Sequence, residues 1–300
     1  MVKVLFTVER YKSQRFDVQY TDLYAFLSTV ADKGYNEHFH WGRFEWMMAH
    51  PLLDVDSLDQ IAIFRDPSCR IVGLLTYDTQ YADRFYFIYA CEDNKLLEIM
   101  LDVTAANCKC SEKMVIKANS EDERLTKILT RRHFIDKGVE ENVLQIDLQT
   151  DLHYQLPPKY FLSASDFTVD QWKYQLLLHK GFGHTGLPGK SKQQVFECAP
   201  HCNRFLQVFA MHADEYCAHC GVWYTKGETA YIEPVVTSPE HRGIGLGKAV
   251  VYEAVSRAKK LGAKRAVVLS GQEFYFKIGF AVSSAFHRWE SSRLYRTNDG

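Results

Sequence analysis

The chain has 300 residues, enough for two domains of ordinary size, and its 46% hydrophobic and 14% aromatic content supplies two buried cores. A formal net charge of −1 leaves no basic field for nucleic acid or an anionic membrane, and no apolar run approaches membrane-spanning length. A small-molecule or peptide partner is favoured.

Residues 1–10 alternate like a strand and lack the apolar region and cleavage site of a secretory signal. A cytoplasmic chain is expected, its eight cysteines present as thiols rather than a disulfide frame. The segment 40–51 is dense in aromatic residues and Met, which suits a domain interface better than a pocket for an amphipathic acceptor. Strands follow at 60–65, 70–77 and 84–90, then a helix from Lys95, a strand at 114–117 and a helix to Arg132.

From 157 on, the same order recurs. A helix over 169–179 leads into a breaker-rich stretch, 181–192, that is a loop rather than a lid. Strands are predicted at 204–210, 216–224 and 230–237, the last two joined by a hairpin at Lys226-Gly227. A helix stop at Gly262, a buried strand at 265–269, a short helix carrying Tyr275 and a final strand at 281–289 complete the chain before a polar tail. The repeated order predicts an internal duplication, with domains at 1–156 and 157–300.

Two metal-like spacings are discounted. Cys198 and Cys202 with Cys217 and Cys220 resemble a zinc set, but the second pair falls in a predicted strand, where residues three apart face opposite ways. His38 and His40 have no third ligand, so no metal is expected.

The most informative run is Ala230-Tyr-Ile-Glu-Pro-Val-Val-Thr-Ser-Pro-Glu-His-Arg-Gly-Ile-Gly-Leu-Gly-Lys248, where a strand enters a glycine-rich turn that opens into a helix. Gly243, Gly245 and Gly247 clear side chains from a point where backbone N–H groups converge, the helix directs its positive end there, and Arg242 adds a fixed cation. The helix carries an apolar stripe of Val250, Val251, Ala254, Val255, Ala258 and Leu261, with Arg257, Lys259 and Lys260 in its last turn. A pyrophosphate site is implied. A dinucleotide fold is excluded because the glycines run G-x-G-x-G and the next strand holds Val267 and Val268 where an acid is needed. A Walker loop is excluded because Arg242 stands in place of its first glycine and Ala249 in place of its Ser or Thr.

This run resembles the acetyl-CoA loop of the GCN5-related N-acetyltransferases, whose R/Q-x-x-G-x-G/A motif is met by Arg242, Gly245 and Gly247. Phe274-Tyr-Phe-Lys-Ile-Gly-Phe280 is similar to the family's F-Y-x-x-x-G-F segment, in the family's order and separation. The resemblance implies an α+β (α/β) fold of two tandem domains, each a mixed, mostly antiparallel sheet with flanking helices and a splayed parallel strand pair. It also implies that acetyl-CoA is the acyl donor, held by Val235, Val236, Thr237, Arg242, Gly243, Ile244, Gly245, Leu246, Gly247 and Lys248. Backbone N–H groups near Val236 and Thr237 would polarise the thioester carbonyl. Many members have an asparagine before the Phe-Tyr pair; this chain has Ser270-Gly271-Gln272, so Ser270 or Gln272 stands for that contact.

By the same resemblance Tyr275 is the general acid for the departing thiolate, a small mismatch between a phenol pKa of about 10 and a thiol pKa near ~8.5. An acceptor amine of pKa near ~10.4 is free base about once in 10³ molecules at pH 7, roughly 4 to 5 kcal/mol, so a base is required. Glu233, in the strand beside the thioester, is that candidate, and Pro234 next to it marks a break in pairing.

A degenerate copy followed by an intact one looks like the bacterial tandem acetyltransferases. The first copy has Tyr89-Ala-Cys-Glu-Asp-Asn-Lys95 where the second has its anion loop, and Phe134 ahead of Gly138 in place of the tyrosine. Glu92 and Asp93 cap their own helix and repel a pyrophosphate. The expectation is an N-acetyltransferase acting by direct transfer, through a tetrahedral intermediate, on a primary amine of a small molecule or peptide. The alternative is an acyl-CoA sensor without acceptor chemistry.

Overall fold

In the computed structural model, which describes residues 6–12, 15–31, 39–90, 92–107, 113–189 and 198–291, the order of elements foreseen in the sequence occurs twice, in two compact units. His38, residues 190–192 of the breaker-rich stretch, the first five residues and the polar tail lie outside the described residues.

The first unit comprises residues 1–143, 269–271 and 282–300. Strand β1 (Thr7–Arg10), helix α1 (Val18–Val30) and helix α2 (Trp41–Ala49) precede an antiparallel meander of β2 (Ala62–Arg65), β3 (Ile71–Asp78) and β4 (Tyr81–Tyr89). Helix α3 (Asn94–Asn107) crosses to β5 (Val115–Asn119), which runs parallel to β4 and pairs with it from Arg84↔Val115 to Tyr86↔Lys117. Helix α4 (Glu123–Arg131) then leads into the long strand β6 (Phe134–Asp147). All nine residues of α2 are buried, Arg43 and Glu45 included, so the aromatic stretch is a core helix of this unit. Neither α1 nor α2 was foreseen; α2 is buried on every side, so it has no solvent-facing polar stripe to mark a 3.6-residue rhythm.

The second unit comprises residues 144–268 and 272–281. Its elements are β7 (Tyr160–Leu162), α5 (Gln171–Gly181), β8 (Gln207–His212), β9 (Glu215–Trp223), β10 (Thr229–Thr237), α6 (Leu246–Lys260), β11 (Arg265–Leu269) and α7 (Glu273–Lys277), with strand order β11-β10-β9-β8-β7. The β4-α3-β5-α4 succession of the first unit is repeated as β10-α6-β11-α7. In α6 the foreseen stripe is buried except for Leu261, which falls past the helix end and is exposed. Arg257 is buried rather than solvent-facing. Its guanidinium donates to the carbonyls of Ser163 (2.7 Å) and Phe205 (3.1 Å) and pairs with Glu253 (2.8 Å).

The last strand, β12 (Ala281–Ser291), belongs from Val282 onward to the first unit, where it pairs antiparallel with β5 from Phe286↔Asn119 to Glu290↔Val115 and places Trp289 in the core. Leu144, Ile146 and Leu148 sit in the core of the second unit. The compact units therefore divide at 143/144 and again near 281, following where these apolar side chains are buried.

Cys217 and Cys220 are both buried in β9, and Cys198 and Cys202 are partly exposed. Among the described residues no group of three His, Cys, Asp or Glu is placed to hold a metal ion, and no helix is long and apolar enough to cross a membrane.

His219 of β9 is wholly buried against Tyr174 (4.9 Å between ring centroids) and Phe209 (4.3 Å), and burial depresses its pKa to about 3. The unfolded chain takes up a proton near pH 6.5 that the native state refuses until about pH 3, so this residue's contribution favours folding less as pH falls through that window. Replacement by Phe should flatten the acid side of the stability profile by up to about 1.4 kcal/mol per pH unit between those limits, measured by urea unfolding at stepped pH.

Candidate functional site

Strand β10 and the turn after it bring the second unit's glycine run to the open end of α6. Gly243 and Gly245 have φ of 78° and 92°, the left-handed region, and Gly245 is the N-cap residue of α6 without any side-chain hydrogen bond to the helix. Its first-turn N–H groups have no capping side chain. Gly247 is glycine for a different reason: a Cβ there would meet the Phe274 ring at 3.2 Å and the Thr237 hydroxyl oxygen at 3.3 Å.

A cleft of about 640 Å³ opens at this helix end. Of the residues foreseen in sequence, Val235, Val236, Thr237, Arg242, Gly243, Gly245, Leu246, Gly247 and Lys248 line it. Ile244 does not, and its side chain is 43% exposed. Ser270 does not either; its N–H donates to the Asn142 carbonyl at 3.0 Å, whereas Gln272 does line the cleft. Five lining residues were not assigned to the site: Gly181 and Phe182 at the end of α5, His241, Phe274 and Ile278. Gly181 and Phe182 carried a signal, because they open the breaker-rich stretch. His241 carried none.

Arg242 is more than a cation at the mouth. Its Nε donates to the Thr237 carbonyl (3.1 Å) and its Nη2 to the Gly181 carbonyl (2.6 Å), so it ties the end of β10 to the end of α5. That closeness requires glycine at 181, since a Cβ there would lie 2.0 Å from a Val236 methyl. His241 adds a second tie. Its Nδ1 shares a 2.9 Å hydrogen bond with the Tyr160 hydroxyl on β7, and its Nε2 lies 3.5 Å from a Glu215 carboxylate oxygen on β9.

The parallel pair β10 and β11 is registered only from Thr229↔Arg265 to Tyr231↔Val267, and the pairing of β10 with β9 shifts register between Ile232 and Val235. The strands thus part at Glu233-Pro234, the break foreseen from the proline, and the peptide joining these two residues is cis. The Glu233 carbonyl accepts from the Trp223 indole N–H (2.8 Å), and its carboxylate accepts from the Tyr231 hydroxyl (2.6 Å). Gly221 admits this bulge: a Cβ there would be 2.7 Å from the Glu233 carbonyl oxygen.

Tyr275 is 5% exposed, with its ring 5.0 Å from that of Phe274 and 5.4 Å from that of Phe280. Its hydroxyl has no hydrogen-bond partner among the described residues. Burial pushes its pKa far above the ordinary phenol value, and the neighbouring Cys220 and Glu233 push it further in the same direction. Tyr275 and Glu233 are therefore close enough to interact, though neither lines the cleft wall.

The first unit is built differently at both equivalent points. The Asp93 carboxylate accepts from the Lys95 N–H (2.9 Å) and its carbonyl accepts from the Leu96 N–H (3.0 Å), so the start of α3 is closed by its own side chain. The residue in the place of the tyrosine needs correction. Gly279 (φ 88°) ends α7 one residue before Phe280, and His133 (φ 62°) ends α4 one residue before Phe134. Phe134 therefore matches Phe280, and five residues earlier Leu129 matches Tyr275. Leu129 is fully buried and carries no hydroxyl.

Replacing Arg242 with Met removes its hydrogen bonds to Thr237 and Gly181 and leaves the contacts of His241. Amide hydrogen exchange at Gly181 to Gly183 and at Ser238 to Gly243 is expected to accelerate by about tenfold while α6 stays protected, as read by mass spectrometry.

Residues 176–280 match the acetyltransferase (GNAT) family. Among solved structures, a GCN5-related N-acetyltransferase from Sphaerobacter thermophilus is similar over 99% of this chain and 98% of its own, with 12% identity and a TM-score of 0.57. A tandem GNAT protein from the clavulanic acid biosynthesis pathway is similar over 95% of this chain and 98% of its own, at 13% identity and a TM-score of 0.57. A GCN5-related N-acetyltransferase from Kribbella flavida covers 74% of this chain and 86% of its own length at 15% identity, with a TM-score of 0.52. A comparison with curated protein sequences gave no match. At these identities the solved structures share a fold with this chain, two mixed α/β units of tandem arrangement.

Proposed function

We propose, from the premise that residues 176–280 are a domain of the acetyltransferase (GNAT) family, that the second unit transfers an acetyl group from acetyl-CoA directly to a primary amine of a small molecule or peptide. The observation that carries this is the uncapped start of α6 beside a 640 Å³ cleft, with Arg242 and Lys248 at its rim. Three features fit a pyrophosphate: left-handed glycines that open the backbone, N–H groups without a capping side chain, and two cations.

Acetyl-CoA supplies an activated acetyl group as a thioester. The chain's own residues do the rest. The N–H groups at the start of α6 hold the diphosphate, and the separated strands β10 and β11 leave backbone N–H and carbonyl groups beyond Tyr231 for the pantetheine amides. The gap begins at the bulge that also carries Glu233.

Glu233 accepts the proton the amine loses as its nitrogen bonds to the acetyl carbon, directly or through one water. Tyr275 donates its proton to the sulfur as the carbon–sulfur bond breaks. The raised pKa of Tyr275 keeps that proton in place until negative charge forms beside it, and the same burial raises the proton affinity of the leaving thiolate, so acid and acceptor shift together. The Tyr231 hydroxyl donates to the Glu233 carboxylate and holds it in one orientation.

Release of thiol from acetyl-CoA across a panel of polyamines, aminoglycosides, amino acids and peptide N-termini is the test. Tyr275→Phe should lower kcat by about 10²-fold or more with acetyl-CoA affinity kept within about twofold. An unchanged kcat removes Tyr275 from the chemistry, and no thiol release with any amine removes the transferase activity itself.

A further inference from the structure

The first unit has a cleft of its own, about 190 Å³, that takes no part in the donor site. Three cations and three anions line it: Arg43 of α2, Arg84 of β4 and Lys117 of β5, with Asp78, Glu140 and Glu141. Such a cluster in a folded chain is ordinarily closed on itself by mutual pairs. Here the pairs can be drawn and something is left over.

Arg43 donates from Nε (3.0 Å) and Nη2 (2.6 Å) to a single Asp78 oxygen. Glu140 is filled by Lys117 on one oxygen (2.7 Å) and Arg84 on the other (2.8 Å). The Lys117 side chain is 4% exposed, and Glu140 takes one of its three ammonium donors; the other two have no acceptor among the described residues. Arg84 Nε makes no hydrogen bond and stands 3.8 Å from an Asp83 carboxylate oxygen. On the acid side, the Glu141 carboxylate forms no hydrogen bond among the described residues and stands 3.6 Å from Arg43. The cleft therefore holds, beside its mutual pairs, cationic donors without an acceptor and a carboxylate, Glu141, that is ion-paired with Arg43 but makes no hydrogen bond.

We infer that this cleft binds a free amino acid, with the ligand's carboxylate on Lys117 and Arg84 and its ammonium on Glu141. Two of the three Lys117 ammonium donors are buried without an acceptor, which is costly, and water fills such donors only with a neutral partner. A zwitterion supplies a carboxylate to them and an ammonium to Glu141, and adds no net charge to a cleft whose six side chains already balance. The volume equals about six waters, or an amino acid of about six to nine non-hydrogen atoms, which excludes peptides longer than the smallest. Burial also lowers the pKa of Lys117, a cost that a bound carboxylate offsets. The site is independent of the acetyl-transfer chemistry, since all six side chains lie in the first unit.

The test is calorimetry on the full chain with glycine, L-serine and L-glutamate, with acetate and methylamine as probes of either charge alone. At least one amino acid should bind with Kd below about 10 mM, while acetate and methylamine bind at least tenfold more weakly. Glu141→Gln should weaken binding by tenfold or more; that carboxylate holds no hydrogen bond and is partly exposed, so the variant is expected to fold, and its thermal midpoint without ligand, lowered by loss of the 3.6 Å pair with Arg43, is measured alongside. Lys117→Met should abolish binding, and where it does not fold, Glu141→Gln decides. Absence of binding by all three amino acids, equal binding of acetate, or unchanged binding in Glu141→Gln would each overturn the assignment.

Discussion

The open N-terminus of α6 is the feature on which the second unit's cleft depends. A helix start in a folded protein is ordinarily satisfied by a side chain, because four N–H groups there have no partner within the helix. Here Gly245 occupies the capping position in a left-handed conformation and offers none. The neighbouring residues serve that opening. Gly247 lets Phe274 and Thr237 close against the first turn, and Arg242 and His241 tie the turn to α5, β7 and β9 so that the N–H groups keep one direction. The break at Glu233-Pro234 comes just beyond the last registered pair of β10 with β11, Tyr231↔Val267.

The first unit shows what the same chain order becomes when that opening is closed. Asp93 fills the N-terminal amides of α3 with its own carboxylate, which also repels an anion. Leu129 replaces the hydroxyl-bearing residue of the short helix, and charged side chains gather in a separate cleft on the same unit. One architecture thus holds two kinds of polar site. In one, backbone amides without a capping side chain face an open cleft; in the other, charged side chains face one another.

Much of this was legible in the chain. The glycine spacing located the turn, the proline at 234 located the break, and repetition of strand, helix and strand located the duplication. What stayed hidden has physical causes. A helix buried on all sides, as α2 is, has no polar face to mark its period. The hydrogen bond from Arg242 to the Gly181 carbonyl joins residues 61 positions apart, and no local pattern announces it. The match of Phe134 to Phe280 rather than Tyr275 rests on left-handed residues, His133 and Gly279, and only glycine reveals that conformation by its identity. The allegiance of β12 to the first unit depends on where Phe286 and Trp289 are buried, which local pattern does not encode.

The central claim is that one helix start of the two is open to an acyl-CoA diphosphate. Isothermal titration of the full chain with acetyl-CoA measures this directly, with Arg242→Glu, Gly245→Glu as the folded control. One molecule bound per chain in the wild type, and none in the variant, is the predicted result. Two molecules per chain, or binding that survives in the variant, would contradict it.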